Sequence, residues 1–258
     1  MLEQLLAINI FHFLLIFARL SVVFAMMPGV SAGYMPARFR LLLALMVTLI
    51  MLPLVKDQLP EQPETPAELV WLIGAEVLVG GFLGGIVQIL MSALETAGDM
   101  ISSATGLTNA FVDDLISEEQ TAIVVGLLNI VAVVLIFTTG AHELLFKAVI
   151  DSYGLIRPGG ELMSGDILNH ASTLLGQAFY MGIKLASPFL VFEIVFQVAN
   201  GILARLSPQL NVFFVALPLQ NLMGFAILFI SLPTLMLIFL GYFENHLENL
   251  LVPAGVNG

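Results

Sequence analysis

The chain has 258 residues, a formal net charge of −11, and is 59% apolar but only 10% charged, with a mean hydropathy of +1.02. Soluble domains run to about 45–50% apolar and about 25% charged residues, so too few charges are present here to cover a soluble surface. Soluble enzymes, disordered regulators and coiled coils are disfavoured, and the composition points to an all-α membrane protein. With no cysteine, disulfides and thiolate chemistry are excluded. The acidic balance disfavours a nucleic-acid partner, which needs a basic face.

A helix crosses the hydrocarbon core in about 20 residues. Six apolar windows of that size follow one another at 5–27, 38–55, 67–93, 121–139, 171–199 and 212–242. The first carries His12 and Arg19. It begins Met1-Leu2-Glu3-Gln4 with no basic region, so it is expected to stay in the mature protein and not to be cleaved as a signal peptide. The second window meets Pro53. An acidic, proline-rich stretch follows, with Asp57, Glu61, Glu64 and Glu68 among Pro60, Pro63 and Pro66, and it reads as a solvated loop.

The third window carries Glu76 and Gln88 and contains Gly80-Gly81-Phe82-Leu83-Gly84-Gly85. Gly80/Gly84 and Gly81/Gly85 are overlapping small-xxx-small pairs, which let helix backbones approach closely. A phosphate-binding glycine loop would need a preceding strand and a lysine, and neither is present. A leucine at Gly81 or Gly84 is expected to hold the helices apart.

Residues 94–120 form a long connection without Lys or Arg. Its first half has residues that continue a helix, and Gly106 and Asn109 suit a turn or helix end. Phe111-Val112 then make an apolar tip beside Asp113, Asp114, Glu118 and Glu119. The tip reads either as an ordinary solvated hairpin loop or as a functional lid. Residues 141–153 have helical periodicity but are too short to span, which suits an interfacial or partner-packing helix. Pro188 interrupts the fifth window, and Pro218 and Pro233 the sixth. Internal prolines kink helices and free a carbonyl that must find another partner.

Ionisable groups at membrane depth face protein or water. They are Arg19, Glu76, Lys184 and Glu193. Glu193, Gln197 and Asn200 lie at i, i+4 and i+7 on one helical face. That stripe lines an aqueous path or forms a polar seam against a neighbouring helix. Alternate loops carry three Lys/Arg on each side, so the positive-inside rule assigns no orientation. The tie argues that the spans are miscounted or that the chain does not insert as a conventional six-span protein. His142-Glu143-Leu144-Leu145-Phe146 lacks the second histidine of a zinc helix, and no nucleophile elbow occurs. No enzyme, metal or cofactor is expected. A small-solute transporter would need two related halves, and Gly80–Gly85 has no counterpart after residue 120.

Three stretches together resemble the FliR family of the flagellar type III export gate. One is Arg19 followed by Pro28-Gly29-Val30 and Met35-Pro36-Ala37-Arg38-Phe39-Arg40. The most specific is Ser207-Pro208-Gln209-Leu210-Asn211-Val212-Phe213, with Pro218 after it. The third is Gly106-Leu107 through Val112-Asp113, followed by Gly140-Ala141-His142. The chain departs from the family at Asp113-Asp114, where Asp-Pro is usual, and at Gly140-Ala141, where Asn-Gly or Asp-Gly is common.

The resemblance implies kinked helical hairpins assembled into a right-handed helical gate in the bacterial inner membrane, within the flagellar basal body. It implies a chain like a FliP-like part (about 1–160) joined to a FliQ-like part (about 161–258). The partners implied are FliP, FliQ and FlhB-like subunits, membrane lipid, and unfolded flagellar proteins in transit. Gly106, Leu107, Phe111, Val112, Asp113 and Asp114 match the family's pore plug. The homologous subunit of a virulence secretion system would carry the same motifs.

Overall fold

The computed structural model describes residues 2–31, 33–107, 111–113, 120–159, 164–206 and 212–251, with backbone alone at 2–9, 111–113, 120–122, 164–168, 212–213, 215 and 249–251. Among the described residues seven α-helices occur in chain order: α1 Leu2–Met26, α2 Ala37–Val55, α3 Pro66–Thr105, α4 Ile123–Thr138, α5 Ala141–Leu155, α6 Ser164–Leu206 and α7 Val212–Leu251. A single 3-10 turn, Lys56–Gln58, follows α2. The segment between α3 and α4 holds two three-residue strands, β1 Phe111–Asp113 and β2 Gln120–Ala122. They pair antiparallel with Val112 opposite Thr121. This ribbon is the one departure from all-helical structure among the described residues.

Each of the six apolar windows falls on a helix, but their lengths differ from single crossings. Four described helices are long and apolar enough to cross a membrane, or five if α4 and α5 are one bent span. α3 and α7 have 40 residues and α6 has 43. At 1.5 Å per residue each is about 60 Å long, twice the hydrocarbon thickness. The first half of the 94–120 connection belongs to α3, as its Ala, Met and Leu content favours.

Pro53, Pro188, Pro218 and Pro233 all stand inside continuous helices. A short break at Thr139 and Gly140 separates α4 from α5. Gly140 there has φ +83°, a left-handed conformation that glycine adopts without the Cβ clash, and its carbonyl accepts from Glu143 N (2.9 Å) to start α5.

The chain divides into two compact units. The first comprises Met1–Ile89, Thr139–Thr173 and Glu244–Gly258; the second comprises Leu90–Thr138 and Leu174–Phe243. In the first unit, α1 supplies Phe11, Leu15, Ile16, Leu20, Val23 and Phe24 to the core. α2 buries one narrow stripe, Ala44, Thr48, Met51 and Val55, and leaves Leu42, Met46, Leu49 and Ile50 exposed. α5, expected to be an interfacial or partner-packing helix, buries Leu145, Ala148, Val149, Ser152 and Tyr153 within the chain itself. His12 is buried and donates Nε2–H to Pro60 O (3.0 Å), since a carbonyl only accepts. That bond ties the acidic connection back to α1.

The second unit is built around the C-terminal half of α3. Leu90, Ala93, Leu94, Ala97, Ile101 and Ala104 are fully buried there.

Candidate functional site

Three groupings inside the units concern the residues singled out by sequence. The first is a buried charge cluster. Arg19 on α1 and Glu76 on α3 are 0% and 1% exposed. Arg19 Nε–H donates to Glu76 Oε2 at 2.7 Å and Nη2 to Oε1 at 3.1 Å, a bidentate fork. Nη1 donates to Ser152 Oγ (2.8 Å) and Nη2 also to Ile156 O (3.1 Å). The guanidinium carbon lies 3.8 Å from the centre of the Tyr153 ring, a cation–π contact. Ser152 in turn donates to Val149 O (2.6 Å). A buried charge is tolerable only when paired and hydrogen-bonded, and this one uses α1, α3 and α5 to become so.

Glu76 had no partner in view along the sequence, because Arg19 is 57 residues away and Ser152 and Tyr153 are later still. The signal for α5 was present as Ser152-Tyr153 on an otherwise apolar helical stripe.

The second grouping is the glycine face of α3. A Cβ on Gly80 would stand 2.5 Å from Arg19 O, and one on Gly84 would stand 2.8 Å from Met26 Cβ. α3 therefore packs closely on α1 at two points one turn apart, Gly80 against the backbone of Arg19 and Gly84 against the side chain of Met26. Gly81 faces Val22 Cγ1 at an ordinary 3.9 Å, and Gly85 faces nothing within 4 Å. Gln88 donates Nε2–H to Met26 O, capping a carbonyl at the end of α1.

Sequence reading missed three further close approaches, all in the second unit. Gly98 on α3 meets Val125 of α4 (Cβ position to Cγ2, 2.7 Å). Gly182 on α6 meets Thr96 (2.7 Å). Gly224 on α7 meets Thr105 (2.4 Å). The Ala93/Ala97 spacing on α3 was the available sign of a small-residue face.

The third grouping is the root of the 106–122 segment. Gly106 has φ +78°. Leu107 N donates to Ser102 O (2.9 Å) and Gly106 N to Ser103 O (3.2 Å), the paired bonds of a Schellman helix end. Gln220 Nε2 on α7 donates to the next carbonyl, Ala104 O, at 2.9 Å. Leu107 is buried. Phe111, Val112 and Asp113 form β1, known here by backbone; Asp114 lies outside the described residues.

The remaining expected residues are spread out. On α6, Gln197 donates Nε2–H to Glu193 Oε1 (2.9 Å), with Asn200 half-buried a turn further and Lys184 exposed. Pro28 is buried before the Gly29 turn, and Pro36 caps α2. Arg38 is exposed. Arg40 is half-buried, with Nη1 buried and lacking a hydrogen-bond partner. Pro218 is exposed within α7, where Phe213 is described by backbone only. Pro208 and Asn211 lie outside the described residues.

Long apolar helices, a charge cluster satisfied within the protein, and glycine-mediated helix contacts define a polytopic helical membrane protein. The model of the bacterial export proteins, family 1, matches residues 10–246. The flagellar biosynthetic protein FliR of Caulobacter vibrioides is 31% identical over 242 residues, 94% of this chain and 96% of that protein. FliR of Escherichia coli is 27% identical over 218 residues, 83% and 82% of the two chains. The secretion system apparatus protein SsaT of Salmonella typhimurium is 25% identical over 163 residues, 63% of each. The chain belongs to the bacterial export proteins, family 1, the FliR family of type III export.

Proposed function

We propose that this chain is a structural pore subunit of the flagellar type III protein export gate, that it completes a ring with FliP and FliQ, and that the segment near residues 106–120 helps to close the pore. The observation that carries the reading is the family match across residues 10–246, joined to 31% identity with a FliR over 94% of the chain. The gate lies in the inner membrane within the flagellar basal body, is contacted by an FlhB-like subunit and passes unfolded flagellar proteins. No chemistry of its own is required.

The geometry supports this reading in two ways. The C-terminal end of α3 is hydrogen-bonded both within its own cap and to Gln220 of α7, so the chain leaves α3 from a braced helix end. Two long helices, α6 from Ser164 and α7 to Leu251, make up the C-terminal part, which supports a FliQ-like part from about 161 after a FliP-like part. Flagellar use is preferred over a virulence system because the FliR of Caulobacter aligns over 94% of this chain and SsaT over 63%.

Deleting residues 107–118 is expected to leave co-purification with FliP and FliQ intact and to raise the ion conductance of the assembled complex. Unchanged conductance in assembled complexes overturns the plug role. Failure of the intact chain to co-purify with those subunits overturns the subunit reading.

A further inference from the structure

The last four carbonyls of a helix lack intrahelical donors. At the end of α3, Ser102 O and Ser103 O are satisfied by Leu107 N and Gly106 N. Ala104 O is satisfied by the side chain of Gln220, 116 residues away on α7. This is a tertiary bond at the point where the chain leaves α3. One turn further along α7, Gly224 lets the two backbones close together. A Cβ there would meet Thr105 Cγ2 at 2.4 Å and Thr105 Cβ at 2.5 Å. Between them, Asn221 Oδ1 is buried without a hydrogen-bond partner and stands 3.0 Å from where a Cβ on Gly106 would be. An added methyl at Gly106 would therefore meet the amide as well as the unfavourable positive φ.

Gln220, Asn221 and Gly224 thus present one amide donor, one amide acceptor and one bare backbone to residues 104–106. Pro218 lies two residues before Gln220. It lacks an N–H, so α7 is missing a backbone bond beside this contact and has a natural point of bending.

We propose that Gln220, together with Asn221 and Gly224, is a positioning group for residues 104–107: α7 grips the end of α3 and so sets the point at which the chain leaves it. The inference uses the plug reading above only for its effect on conductance; the grip itself stands on the helix contact.

The chain has no cysteine, so a single Leu107→Cys substitution at the buried helix end gives a clean reporter in the assembled export complex. Gln220→Met keeps the side-chain length and removes the donor. It is expected to speed maleimide labelling of that cysteine about five- to tenfold, the range of one net hydrogen bond. Leu222→Met, on an exposed neighbour, is expected to leave the rate unchanged. Gly224→Ala is expected to speed labelling as well, and Thr105→Gly added to it to restore the slow rate.

An unchanged rate in an assembled Gln220→Met complex overturns the proposal. If that variant does not assemble, the Gly224→Ala and Thr105→Gly pair decides: no acceleration, or acceleration without restoration, also overturns it. Conductance is read separately on the 107–118 deletion. If that deletion does not leak while Gln220→Met still accelerates labelling, the plug reading falls and the positioning role stands.

Discussion

Replacing Glu76 by leucine removes the carboxylate and leaves the Arg19 guanidinium at 0% exposure. The charge then keeps only Ser152 Oγ, Ile156 O and the Tyr153 ring, all neutral. Breaking a buried pair from one side costs about 3–5 kcal/mol. Arg19→Met strands Glu76 instead. A carboxyl group can shed its charge by taking up a proton, whereas a guanidinium cannot, so this variant is expected to be the milder of the two. The double variant Arg19→Met/Glu76→Leu strands no charge. Ser152 keeps its bond to Val149 O, and the losses are the guanidinium bonds to Ser152 Oγ and Ile156 O and the cation–π contact, about 2–3 kcal/mol. Replacing a buried pair by apolar groups of similar volume is otherwise neutral or stabilising. The double variant is therefore expected to be more stable than Glu76→Leu alone, with a coupling of about 3 kcal/mol. Unfolding of the detergent-solubilised protein, followed by loss of helical circular dichroism, measures all four chains of the cycle. Additive losses, with the double variant weaker than either single one, would refute the claim that the cluster is a matched pair.

Two further outcomes test the packing. Gly80→Ala is expected to destabilise by about 1–3 kcal/mol, since the new carbon would stand 2.5 Å from a backbone oxygen; Gly85→Ala is expected to stabilise by about 0.5–1 kcal/mol, because nothing lies within 4 Å and a helix gains from the exchange. Equal effects in the same unfolding assay would count against the α1–α3 contact. Ile194→Asp puts a charge on the 65% exposed apolar side of α6, a change worth about 2.5–3.5 kcal/mol at membrane depth; it is expected to lower recovery of the membrane-embedded protein while Ile194→Leu does not, and wild-type recovery would remove the need for an apolar environment there.

The helices were legible because six apolar windows separated by glycine, proline and acid leave few alternatives. Their ends were less legible. α3 reaches Thr105 through Glu95 and Asp99, charges that close a hydropathy window without breaking a helix. The β1–β2 ribbon had no sequence signal, since three-residue strands in a polar loop show no usable alternation. At the site, Arg19 and Glu76 were visible as expensive charges, but their pairing depends on tertiary placement across 57 residues. Of the four consecutive-looking glycines, only Gly80 and Gly84 leave no room for a Cβ against α1; a helix turns Gly81 and Gly85 by 100°, to an ordinary contact with Val22 and to open space. Gln220 was passed over because a single amide in an apolar helix has many uses, and only its proximity to Ala104 O distinguishes it.

The apolar excess with which the sequence begins is divided unequally among these helices. Half of the most apolar window of α3 is buried within the chain, but only 11% of that of α6. Val191, Ile194, Val195, Val198 and Ile202 of α6 are exposed and share one helical face. An exposed apolar face requires cover, and the described residues of this chain supply little of it. Lipid satisfies such a surface only where polar groups are absent. Glu193 and Gln197 lie on the other side of α6 and bond to each other; Asn200 extends that polar face by a turn. Facing hydrocarbon, the carboxylate would be costly. Facing another helix, the seam gains donors for the remaining oxygens of Glu193 and Asn200. The polar seam is accordingly the side of α6 where a partner chain is expected, and the purely apolar sides are where lipid is.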